Sequence, residues 1–279
     1  MKCELKDIAI HYESFGEGIP IIMLHGWSAN QRIMSSVMEP LFIQGDGWKR
    51  IYPDLPGHGR TPARDWITNQ DKILDVVLEF VDSVIPRQRF VVAGGSWGAY
   101  LARGVAFHRA AWMDGLLLMI PMIVADAAKR IVPSHVCLVQ DPALASNLEP
   151  DQAELFDSYA VVQSRKLADA LRELTPAGDE MGDQKFQAAI REDPEKYAFS
   201  FDIDAMVEPF AAPTLIVTGR QDSIVGYRQA WDLLDNYPRG TFAVLDRAGH
   251  FLEFEQEEVF GSLAREWLDR VAEYAATAK

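Results

Sequence analysis

The chain has 279 residues, 48% hydrophobic and 24% charged, with neither low-complexity tracts nor internal repeats. This composition supports a large buried core and excludes a fibrous or largely disordered protein. The formal net charge of -14 opposes phosphate backbones and anionic lipid surfaces, so the expected partner is a small molecule, with no nucleic acid and no membrane.

The N-terminal stretch MKCELKDIAIHY alternates charged and apolar residues like a strand and has no apolar h-region. No secretory signal is expected, and the cytoplasm is the expected compartment. Cys3 and Cys137 fit that compartment as packing residues and have no metal-ligand spacing. Apolar runs such as GLLLMIPMIV (115–124) fall far short of the roughly 20 residues a membrane helix needs. Disorder is expected only in the last few residues, ATAK, and the oligomeric state is expected to be monomer or homodimer.

In chain order, IAIHYESFG (8–16), PIIMLHG (20–26), WKRIYPDLPGHG (48–59), RFVVAGGS (89–96), GLLLMIP (115–121), PTLIVTG (213–219) and TFAVLDRAGH (241–250) read as strands. They alternate little, as strands do when both faces are covered. Helical spacing lies between them. In 71–85, Leu74, Val77, Leu78, Val81, Val84 and Ile85 share a face, and in 258–275 so do Phe260, Leu263, Ala264, Trp267, Leu268 and Val271. Such alternation predicts an α/β fold, a mostly parallel sheet of about eight strands with helices on both faces.

The pattern breaks between 125 and 209, which contain no convincing strand. PDQAELFDSYAVVQSRKLADALREL (150–174) reads as one long helix with Asp151 as its N-cap, and DQKFQAAIRED (183–193) as a shorter one. In the long segment, Phe156, Tyr159, Leu167 and Leu171 oppose Leu155 and Val162, which suits a layer between the sheet and a cavity. This inserted helical block (125–209) divides a core made of 1–124 and 210–279. It holds 17 acidic and 8 basic residues, read as a solvated outer face.

Functional groups in an open α/β sheet collect at the carboxyl ends of the strands. There VVAGGSWG matches G-x-S-x-G, with Gly94, Ser96 and Gly98 in a strand-to-helix turn. A serine needs a base to take its proton and a third group to orient that base. Asp222 follows one later strand and His250 the next, giving the order Ser96, Asp222, His250.

With these segments the chain resembles the α/β-hydrolase superfamily over nearly its whole length. MLHGWSAN resembles the family's oxyanion loop, which implies the backbone N–H groups of Trp27 and Trp97 as oxyanion donors. YPDLPGHGRT (52–61) resembles the D-x-P-G-x-G-x-S turn, with Thr61 where serine is usual, and the block at 125–209 falls where the family inserts its cap. His25 is expected to brace the oxyanion loop and is also a possible pocket residue. His58 is expected to be structural. Phe251 and the rings of Trp27 and Trp97 are candidate pocket walls.

The resemblance implies hydrolysis of a small, mostly apolar ester or related acyl compound through an acyl-enzyme, with no metal and no organic cofactor. Alternatives remain. GGSWG resembles the elbow of proline iminopeptidases, although HGWSA departs from their HGGPG-type loop. C–C bond hydrolases, cofactor-free perhydrolases and ligand-binding, receptor-like members of the fold are the others.

Overall fold

The computed structural model describes residues 1–42, 47–174 and 181–277. The strands are β1 (Lys2–Glu4), β2 (Ala9–Phe15), β3 (Gly18–Leu24), β4 (Gly47–Pro53), β5 (Phe90–Gly95), β6 (Met113–Met119), β7 (Thr214–Gly219) and β8 (Gly240–Leu245). They form one sheet in the order β1-β2-β4-β3-β5-β6-β7-β8. Pairing is antiparallel at β1–β2 and β2–β4 and parallel elsewhere. β5, β6 and β7 are buried at every position, the reason their sequences do not alternate.

Successive side chains of these strands feed two separate cores. Ile22, Val92, Leu116 and Ile216 pack with helices α2 (Gln70–Val84) and α3 (Trp97–Arg109). Ile21, Val91, Leu117 and Leu215 pack on the opposite face with α1 (Gln31–Met38) and the C-terminal helix Glu257–Thr277. The buried stripe of α2 is wider than the one-face reading of 71–85. It takes in Ile73, Val76 and Phe80, while Leu78 and Val84 are only partly buried. The helix touches α3 as well as β1, so more than one side is covered.

The segment between β6 and β7 contains helices and no named strand among its described residues; 175–180 lie outside them. The single helix expected over 150–174 is two: α4 (Pro150–Tyr159) and α5 (Arg165–Leu174). Between them Val162 makes an isolated bridge with Val139, and the N–H groups of Val161 and Val162 both donate to Glu255 Oε1. Amides committed to these partners cannot donate four residues back, so the helix stops. The N-cap of α4 is Glu149, whose N–H donates to Gln152 Oε1 at 3.3 Å; Pro150 takes the first helical position, and Asp151 lies inside the first turn. A further helix, α6 (Gln184–Arg191), begins at Asp183, which accepts the Phe186 N–H at 3.0 Å.

α4 and α5 share a small core of Leu144, Phe156, Leu167 and Leu171, against which Phe251 and Phe254 pack. This contact sets the segment above the strand ends. The C-terminal helix, α7 (Glu257–Thr277), buries Phe260, Ala264, Trp267, Leu268 and Val271 of the face its spacing predicts, while Leu263 is only partly buried. Ala276 and Thr277 are helical rather than disordered, and Ala278 and Lys279 lie outside the described residues.

Candidate active site

Ser96 stands between the last residue of β5 and the first of α3, with φ 53° and ψ -115°. A non-glycine residue persists there only when its surroundings impose it. Its N–H donates to the Met119 carbonyl at 2.9 Å, and its own carbonyl accepts from Ala99, Tyr100 and Met122. The flanking glycines leave room for this turn. A Cβ on Gly94 would lie 2.3 Å from the Gly98 carbonyl oxygen, and one on Gly98 would lie 2.2 Å from that of Leu24. Ser96 lines a cavity of about 330 Å³ shared with Trp27, His250, Phe251, Leu155, Tyr159 and Leu171, among others.

Asp222 and His250 enter from the ends of β7 and β8. Asp222 is fully buried; its Oδ1 accepts the N–H groups of Ile224 (2.8 Å) and Val225 (3.0 Å), leaving Oδ2 for His250 Nδ1 at 3.0 Å. Burial disfavours the His250 imidazolium, but the charge and hydrogen bond of Asp222, aided by the charge of Glu253, outweigh it and raise the His250 pKa. An Asp–His pair at a cavity that a serine also lines can transfer protons.

Trp97 is the first residue of α3, where an N–H has no acceptor in a preceding turn. Trp27 follows Gly26, whose Cβ position lies 3.5 Å from Ser96 Cβ, so the loop carrying Trp27 runs directly over the elbow. The two rings part company. Trp27 lines the cavity, edge-on to Trp97, His58 and Tyr197. The Trp97 ring is fully buried, donates from Nε1 to Gln70 Oε1 at 2.9 Å, and is no pocket wall.

His25 does not line the cavity either. Its Nε2 accepts the Leu55 N–H at 3.0 Å, which makes Nδ1 the donor to the Gly26 carbonyl at 2.7 Å. The ring therefore ties the Gly26 turn to the segment after β4, and burial lowers its pKa to about 4. His58 is buried beside it, stacked on Trp97, with a pKa lowered to about 3 by burial and by His25. Asp54 holds this turn by accepting the N–H groups of Gln31 and Arg60, and Thr61 Oγ1 accepts the N–H of His11.

Three charged residues line the cavity that the sequence did not point to: Glu253, Arg130 and Arg191. Glu253 was the most legible, a charged residue inside the apolar run Phe251, Leu252, Phe254. Burial raises its pKa to about 7. Glu255 is structural, joining the Gly249 N–H through Oε2 to those of Val161 and Val162 through Oε1. Among the described residues, no group of three or more His, Cys, Asp or Glu is placed to hold a metal ion. No helix among them is long and apolar enough to cross a membrane.

Residues 21–262 match the alpha/beta hydrolase family. The chain belongs to that family and is a hydrolase of its fold. A pimeloyl-[acyl-carrier protein] methyl ester esterase from Legionella pneumophila (strain Corby) is 22% identical over 269 residues, covering 93% of this chain and 99% of the relative. A 2-hydroxy-6-oxo-6-(2'-aminophenyl)hexa-2,4-dienoic acid hydrolase from Metapseudomonas resinovorans is 22% identical over 275 residues, 97% of this chain and 91% of that one. Among solved structures, an alpha/beta superfamily hydrolase from Oenococcus oeni PSU-1 superposes with a TM-score of 0.84 at 30% identity, covering 94% of this chain and 96% of the other.

Proposed function

We propose that the protein is a cytoplasmic serine hydrolase that cleaves a small, mostly apolar ester or related acyl compound through an acyl-enzyme. The observation that carries this reading is the 3.0 Å Asp222–His250 hydrogen bond at the cavity onto which the strained Ser96 opens. Ser96 Oγ attacks the carbonyl carbon while His250 takes its proton; the Trp27 and Trp97 N–H groups hold the oxyanion. His250 then returns the proton to the leaving group, and water, deprotonated by His250, releases the acid. Asp222 fixes the imidazole tautomer and stabilises its charged form. Residues 125–209 act as the cap over a core of 1–124 and 210–279, Leu155, Tyr159 and Leu171 forming the apolar roof.

The ester reading is supported by the activity named for the Legionella relative and by a cavity wall that is mostly apolar. The equal identity to the dienoic acid hydrolase supports a second reading, hydrolysis of an acid of that type. A fluorophosphonate probe and a panel of p-nitrophenyl esters test the proposal. Labelling at Ser96 and loss of at least about a thousandfold in kcat for Ser96→Ala are expected. An unlabelled Ser96, or an equally active variant, refutes it.

A further inference from the structure

Glu253 lines the cavity with Ser96 and His250, and its Oε2 is buried without a hydrogen-bond partner. The neighbouring carboxylates are committed. Asp222 serves His250, Ile224 and Val225, and Glu255 serves Gly249, Val161 and Val162. Beyond a charge that helps raise the His250 pKa, Glu253 has no task in the scheme above. A carboxyl group buried against apolar walls with an unmet oxygen is a destabilising choice that leucine would avoid. That cost is offset when a substrate brings the missing donor.

The remaining charges of the cavity decide the kind of donor. Arg130 and Arg191 line it too, and the Arg130 guanidinium donates to the carbonyls of Val124, Ala125 and Ile224 rather than to any carboxylate. An ammonium group on the substrate would meet the partly buried Arg130 guanidinium and the solvent-exposed Arg191, against at most one negative charge from Glu253. A neutral hydroxyl meets no such opposition.

Building on the serine-hydrolase reading, we propose that Glu253 is a specificity residue whose unmet carboxyl oxygen accepts a hydrogen bond from a substrate hydroxyl, selecting hydroxylated esters over their deoxy counterparts. An oxygen of the carboxyl group can accept in either protonation state.

The test compares kcat/KM for matched pairs: p-nitrophenyl 2- or 3-hydroxybutyrate against the butyrate for a hydroxyl on the acyl side, and glyceryl monobutyrate against propyl butyrate for one on the alcohol side. In the unaltered protein one pair should differ by at least about tenfold in favour of the hydroxylated ester. Glu253→Leu should bring that ratio near unity, while Glu253→Gln, which keeps an accepting oxygen, retains most of it. Glu253→Leu should also melt at a higher temperature, because it removes an unpartnered polar group; a lower melting temperature assigns Glu253 a structural role and overturns the inference. Ratios near unity in both pairs for the unaltered protein, or a preference that survives Glu253→Leu, overturn it as well. With Ser96 labelled by the fluorophosphonate, such a result refutes the role of Glu253 alone; an unlabelled protein inert to every ester refutes the serine-hydrolase reading itself.

Discussion

At Ser96 and His250 the backbone does as much as the side chains. The positive φ of Ser96 is imposed by four backbone hydrogen bonds, and the ring of His250 is oriented by a buried carboxylate itself held by two amides. On the serine-hydrolase reading, His250 must be neutral to accept the serine proton. Its pKa is raised above the ordinary 6.5, so kcat/KM should fall as pH drops through a midpoint above 6.5. Asp222→Asn removes the charge that outweighs burial. The midpoint should then move down and kcat fall by about ten-thousandfold, as a pH-rate profile would read. A midpoint unmoved by the substitution would disconnect Asp222 from His250.

The elements fit through close backbone approaches and a few polar ties. Gly98 lets α3 approach the Leu24 carbonyl, and a methyl group there would sit 2.2 Å from that oxygen. Gly98→Ala should cost about 1–3 kcal/mol and displace the elbow, so that melting temperature and esterase activity fall together. Gly94 and Gly98 were legible as a motif because a steric requirement of this kind selects one residue type. The tie between the helical segment and the core was not legible. Glu255 reaches across to Val161 and Val162, and this splits what helical periodicity joins into one helix over 150–174. Glu255→Gln sets an amide N–H against either this pair or the Gly249 N–H that the other carboxylate oxygen accepts. It should lower stability by about 1–3 kcal/mol, measured by thermal or urea unfolding.

For the molecule as a whole, on the serine-hydrolase reading, the cavity between the helical segment and the strand ends sets which substrates can enter. Its volume of about 330 Å³ is at the small end for ligand pockets, so a series of p-nitrophenyl esters of rising chain length should show kcat/KM declining steeply from short or medium acyl chains to long ones. Sustained activity on long chains would require the segment to open. The described acidic side chains of the segment do not line the cavity, although its Arg130 and Arg191 do. Asp141, Asp151, Glu154 and Asp157 are exposed, as a solvated outer face requires, whereas the cavity carries Arg130, Arg191 and Glu253. Long-range pairing explains the difference in legibility. The α/β class, the elbow and the Ser96, Asp222, His250 order could be read from the sequence, because strand burial, turn sterics and chain order leave local residue patterns. The burial of the Trp97 ring, the absence of His25 from the cavity wall, the break at 160–164 and the place of Glu253 in the cavity lining needed the tertiary structure. Each depends on which distant atoms arrive beside a residue, and no local pattern encodes that.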